Sequence, residues 1–242
     1  MKKLLYIFIL TCFLINICAG QKTKTLKVNS VKPNNLAEKF AVFEFNSHIK
    51  HGKYSKKKNN ILIEKGFYKY NQKDSLWEYY SLNKIRIAKG YYDNGSKVGV
   101  WEYYSFKGNL VQKYNHSNDS LLYYDTLEEQ KQFPYLKFKM NENTQVARAI
   151  GGISNLYNTI KNDVLYPKRM WDKKETAAIK VYFMIDTLGN TIDVRVMNVK
   201  NTEFETEGIR IIESLGKCWM PAVMDNKKVK MSYVLPVNFN IE

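Results

Sequence analysis

Few side chains in this 242-residue chain are typed and spaced for chemistry. They are His48, His51 and His116, three cysteines, and clustered carboxylates at Glu203, Glu205, Glu207, Asp186 and Asp193. His48 and His51 stand three apart, but no Cys, Asp or Glu at ligand spacing completes a tetrahedral set, so no metal site is expected. Glu203, Glu205 and Glu207 gather at the start of a predicted helix, where negative charge complements the helix dipole. Asp186 and Asp193 flank a predicted turn and read as turn and solvent-face residues. Cys218 precedes Trp219 and reads as a buried small hydrophobe. No nucleophile elbow, phosphate loop or Cys–His constellation is present. The sequence therefore predicts no catalytic residue, no metal, no cofactor and no enzyme.

The start of the chain predicts export. Lys2 and Lys3 precede an apolar run from Leu4 to Ile17, and Cys18-Ala19-Gly20 supplies small residues before Gln21. That run is shorter than the roughly 20 residues that span a bilayer, so residues 1–20 are read as a cleaved signal peptide. Membrane association is expected only if the segment stays uncleaved. Cleavage would remove Cys12 and Cys18, leaving Cys218 without a disulfide partner. The formal net charge is +15, which suits an anionic lipid or an acidic protein, while export argues against nucleic acid.

The elements that must carry any function fall into two halves. Residues 21–41 are Lys-, Asn- and Thr-rich and read as a linker. Over 42–125 a repeat emerges. Gly66-Phe67-Tyr68 and Leu76-Trp77-Glu78-Tyr79-Tyr80 return 24 residues later as Gly90-Tyr91-Tyr92 and Val100-Trp101-Glu102-Tyr103-Tyr104. Asn94-Gly95 and Lys107-Gly108-Asn109 are hairpin turns, and the aromatic stretches between them are strand formers. A period of this length signals a stacked array of β-hairpins, each burying an aromatic face on the next. Gly90-Tyr91-Tyr92-Asp93-Asn94-Gly95 with Gly99 and Trp101 resembles the MORN repeat. Residues 126–147 read as a second linker.

Residues 148–242 read as a small α+β unit. Ile153, Leu156, Ile160 and Val164 recur at helical spacing until Tyr166-Pro167 ends the helix. Thr176 to Asp186 alternates as a strand, Thr187-Leu188-Gly189-Asn190 turns, and Ile192, Val194 and Val196 return. A second helix begins at a capping box, Thr202 with Glu205, and Gly216 ends it. A last strand over about 230–241 places Met231, Tyr233, Leu235, Val237 and Phe239 on one face. The expected fold is α+β: a MORN-like hairpin array followed by two helices on a three-stranded antiparallel sheet.

Taken together, Gly151-Gly152-Ile153, Tyr166-Pro167, Val181-x-Phe183-x-Ile185-Asp186-x-x-Gly189, Glu207-Gly208-Ile209-Arg210, Trp219-x-Pro221-Ala222 and Tyr233-x-Leu235-Pro236-Val237-x-Phe239 resemble the TonB C-terminal domain. That resemblance implies a periplasmic or envelope protein that binds an envelope partner, in this family a segment of a TonB-dependent outer-membrane receptor, by strand addition. It places Tyr166 and Pro167 near the site and gives the pairing to Leu235, Pro236, Val237 and Phe239. Pro236 adds a physical reason: lacking an N–H, it marks an edge strand. Two other roles follow from the same residues. The repeats could themselves be the working surface of a structural protein, or an uncleaved leader could make the chain a membrane-anchored energy transducer for transmembrane transport. The leader has no polar coupling residue, and no long proline-rich linker follows it.

Overall fold

The computed structural model describes residues 21–30, 32–125, 144–197 and 202–241. The predicted leader, most of the second linker and the Thr202 side chain of the predicted capping box lie outside the described residues. Among the described residues no helix is long and apolar enough to cross a membrane.

The first half is one antiparallel meander of nine strands in sequence order. It runs from β1 (Thr23–Asn29), β2 (Leu36–Phe43) and β3 (Lys50–Lys58) through β4 (Ile61–Lys69), β5 (Gln72–Tyr80) and β6 (Arg86–Asp93). Then follow β7 (Ser96–Tyr104), β8 (Leu110–Asn115) and β9 (Ser120–Tyr124). The repeat has a clear physical basis. A Cβ built on Gly66 would fall inside the Trp77 indole, and one on Gly90 inside the Trp101 indole, so only glycine lets each ring lie flat on the neighbouring strand. Each indole N–H then donates to the carbonyl one residue past its glycine, Trp77 to Phe67 at 3.0 Å and Trp101 to Tyr91 at 3.1 Å. Both tryptophans are fully buried. The opposite face repeats its charges at the same interval. Glu78 pairs with Lys65 and Arg86, and Glu102 pairs with Lys89 and Lys113. Hydrogen bonds from Lys89 and Tyr104 hold the Glu102 carboxyl down at about 2.

The linker expected over 21–41 is corrected: it forms β1 and most of β2. β1 is an edge strand exposed on both faces, so it has no buried side to impose the alternation that reveals a strand.

The second half is built on the sheet β13 (Thr191–Val196), β12 (Ala177–Ile185) and β17 (Met231–Phe239), in that spatial order. Helices α1 (Gly152–Asp163) and α3 (Thr202–Glu213) match the two expected helices. The short α2 (Lys168–Asp172) was not expected. Nor were the small pairings β11 (Arg148–Ala149) with β14 (Trp219–Met220), and β10 (Thr144–Gln145) with β15 (Ala222–Met224) and β16 (Lys227–Val229). Because β10 pairs with β15, this unit begins before residue 148. Its core joins Ile153, Leu156 and Ile160 of α1 to Ile179, Val181 and Phe183 of β12, Ile211 and Ile212 of α3, and Leu235 and Val237 of β17.

The two halves pack against each other through α1. Its apolar stripe serves the C-terminal core, while Ser154, Asn158 and Asn162, at i, i+4 and i+8, form a second buried stripe. Asn162 donates to the Tyr80 carbonyl at 3.0 Å. At the other end of α1 the buried Gln112 accepts from the Gly151 N–H, and a Cβ on Gly151 would meet the Tyr103 ring. Lys56 pairs with Asp163, and Lys217 with Asp119.

Candidate functional site

Among the described residues β17 pairs only with β12 and leaves its other edge open. Register and one hydrogen bond settle which of its backbone groups face outward. Lys180 stands opposite Pro236. The Lys180 carbonyl accepts from the Met197 N–H at 2.9 Å, on the β13 side. An antiparallel residue turns its N–H and C=O the same way, so Lys180–Pro236 is a non-hydrogen-bonded pair and Pro236 faces the free edge. By alternation Ser232, Val234 and Asn238 face it too. That edge therefore presents three N–H donors and four carbonyls, with one donor missing in the middle. Met231, Tyr233, Leu235, Val237 and Phe239 bond to β12 and turn their side chains to the core face.

The sequence reading gave the pairing to Leu235, Pro236, Val237 and Phe239; the structure refines this. Leu235, Val237 and Phe239 are buried core residues whose backbone groups are spent on β12. Of the four, only Pro236 faces the free edge. Proline at an edge costs no ladder bond within the sheet, which is why it is tolerated there. Tyr166 is half-buried and fixed. Its ring meets Trp171, Phe204 and Phe239 edge-on at 5.5–5.9 Å, and its hydroxyl donates to the Glu175 carbonyl. Pro167 caps the start of α2.

A groove of about 620 Å³ runs along the C-terminal part of this edge, within the size range of binding pockets. Pro236 to Asn240 form one wall. Tyr157 and Lys161 of α1 line it with Tyr166 and Trp171. The facing wall comes from the repeat half: Asn34, Lys58, Leu82 and Phe106, with Lys32 beside them. Pro167 and Leu235 do not line it. Two of these residues fasten the walls together. Asn34 accepts from the Tyr166 N–H at 2.8 Å and donates to the Tyr166 carbonyl at 3.4 Å. The Lys58 ammonium donates to the carbonyls of Lys161, Asn162 and Val164 at 3.0–3.1 Å, capping α1 at the negative end of its dipole. Burial lowers this ammonium to about 8.

Glu207 departs from its expected role as a charge at a helix start. It is buried, accepts from the Leu165 N–H at 2.6 Å and pairs with Arg210, which also donates to the Asp163 carbonyl. It thus fixes the turn from α1 to Tyr166. Asp186 does act in the turn, accepting from the backbone N–H groups of Leu188 and Asn190 at 2.8 Å. His51 stacks on Phe43 at 4.4 Å, and His116 shares a 2.8 Å hydrogen bond with the Tyr103 hydroxyl. Burial lowers the His116 imidazolium to about 4 and raises the Cys218 thiol to about 12, so both are neutral at pH 7.

The C-terminal unit is thus a three-stranded antiparallel sheet with two packed helices and, among the described residues, an open edge at β17. Residues 162–241, about a third of the chain, match the family model described as Gram-negative bacterial TonB protein C-terminal, so this part of the chain is similar to that domain. Comparison with curated proteins finds no match. A solved structure titled "Crystal Structure of TarM" is 12% identical with a TM-score of 0.25, covering 52% of this chain and 26% of that one. The chain thus spans about a quarter of that protein, and the likeness carries no argument.

Proposed function

We propose that this chain is an exported envelope protein that binds a partner by accepting one of its extended segments as a fourth strand beside β17. The observation that carries this reading is the free edge, with the outward N–H groups of Ser232, Val234 and Asn238 and the carbonyls of all four outward residues. Main-chain hydrogen bonds of this kind supply affinity in β-augmentation, and neighbouring pockets supply specificity. The TonB C-terminal match over 162–241 supports a Gram-negative envelope setting, and a segment of a TonB-dependent outer-membrane transporter is the partner to try first. The repeat half, which resembles MORN repeats in sequence, acts as a rigid support for this edge. The chain's role is binding and not catalysis.

Calorimetric titration of the full chain with N-terminal peptides of TonB-dependent transporters tests the reading. Saturable binding is expected, and no heat at millimolar peptide sinks it. Sequencing the mature N-terminus tests export: Gln21 as the first residue supports cleavage, whereas an intact Met1 favours an anchored role.

A further inference from the structure

The repeat-derived wall of the groove has its own periodicity. Asn34, Lys58, Leu82 and Phe106 stand 24 residues apart, the interval that separates Trp77 from Trp101. Asn34, Leu82 and Phe106 lie in the β1–β2, β5–β6 and β7–β8 connections and Lys58 is the last residue of β3, so a meander places all four at one end of the sheet. Leu82 and Phe106 hold the same position, two residues past their strand and four before the next, and Asn34 and Lys58 extend the row at the same sequence interval. Its members divide the work. Asn34 and Lys58 are engaged with Tyr166 and with the end of α1, and they hold the two halves together. Leu82 and Phe106 are apolar residues at turn tips, and Phe106 remains 38% exposed. A large apolar residue at a turn tip gains nothing from water, and here two of them face a groove bordered by an open strand.

The charge of the groove is one-sided. Lys32 and Lys161 are exposed at its lining, one from each half, and Lys58 lies between. Among the described residues no Asp or Glu lines it, although elsewhere on the sheet lysines are paired with Glu78 and Glu102. Neither Lys32 nor Lys161 has an ion pair among the described residues. The groove therefore offers backbone donors and acceptors, an apolar contact at the repeat turns, and unopposed positive charge.

We infer that the repeat half forms a specificity wall, and that the groove takes an extended protein segment carrying carboxylates for Lys32 and Lys161 and a large apolar side chain for Leu82 and Phe106. This rests on the strand-addition reading, and it goes further by giving the repeats a direct part in recognition.

The test is fluorescence anisotropy with the full chain and a dye-labelled nine-residue peptide of alternating Thr and Val carrying one Phe and two Asp. A control peptide replaces both Asp by Lys. The expected result is that the Asp peptide binds at least tenfold more tightly than the Lys peptide. Lys32→Glu with Lys161→Glu, both at exposed positions, should reverse that order, and Phe106→Ser should weaken both peptides about tenfold. Val234→Pro, which removes an outward N–H beyond the groove, separates the two claims. If Val234→Pro weakens binding while peptide charge and Phe106→Ser change nothing, the strand reading stands and the specificity wall is overturned. If neither peptide binds wild-type protein at millimolar concentration, both are overturned.

Discussion

The two halves of this molecule bury their hydrophobic faces in different ways, and the difference suits them to different parts of one site. The nine-stranded sheet is packed with aromatic rings. Trp77 and Trp101 lie on Gly66 and Gly90, and tyrosines meet them edge-on, as Tyr68 meets Trp77 at 5.2 Å and Tyr92 meets Trp101 at 5.2 Å. The opposite face is closed by repeated Lys–Glu pairs. The C-terminal unit uses mainly aliphatic packing, with Ile179, Val181, Ile211 and Ile212 fully buried, and among the described residues it leaves β17 unpaired on one side. The ring-packed array is suited to be a rigid support. The smaller unit carries the open edge that borders the groove, and α1 with its two buried stripes fixes one to the other.

The largest effect should come from breaking the ring packing. Trp101→Ala is expected to cost about 3–5 kcal/mol of unfolding free energy in urea, as for a large aromatic removed from a core. A loss under about 1 kcal/mol would show that the array does not depend on its indoles. Next is the joint between the halves. Gln112→Leu removes the acceptor of the buried Gly151 N–H, which should cost about 1–3 kcal/mol while leaving each half's far-UV signature in place.

A pH series sharpens the contrast between the halves. His116 titrates near 6.5 when unfolded and near 4 when folded, because burial disfavours its charged form. The unfolded chain therefore binds more protons between these values. The stability that His116 contributes is complete above pH 6.5 and is lost as pH falls toward 4. Compared with His116→Phe, the wild-type protein should lose about 1–2 kcal/mol across that window, allowing for solvent screening. An unchanged difference would mean that His116 is not held neutral. The smallest effect is expected at the edge itself. Pro236→Ala restores a donor that no neighbour among the described residues uses, so stability should move by less than about 0.5 kcal/mol. Affinity for an added strand should rise by about 0.5–1.5 kcal/mol, the value of one more backbone hydrogen bond.

Much of this was legible in the sequence where a residue type had a single physical use. The 24-residue spacing of glycine and tryptophan announced a repeat because no other side chain fits beneath the indole. The helical spacing of Ile153, Leu156 and Ile160 and the alternation of Ile179, Val181 and Phe183 located the C-terminal core. Pro236 marked an edge strand because it has no N–H to give. Residues with two uses misled. Ser154, Asn158 and Asn162 give no sign of burial in the sequence and are buried against the array. Glu207 looks like a helix-start charge and is a buried anchor. β1 has no buried face to pattern it. The groove was hidden because its walls are distant in sequence, although extending the 24-residue period past the strands would have aligned the turn residues Leu82 and Phe106.

Amide hydrogen exchange of the full chain, with and without a bound extended peptide, tests the strand-addition edge most directly. The N–H groups of Val234 and Asn238 should exchange quickly in the free protein and slow at least tenfold on binding, while Leu235 and Val237 are protected in both states. Protection that appears on β1 or β9 while Val234 and Asn238 stay fast would contradict the account.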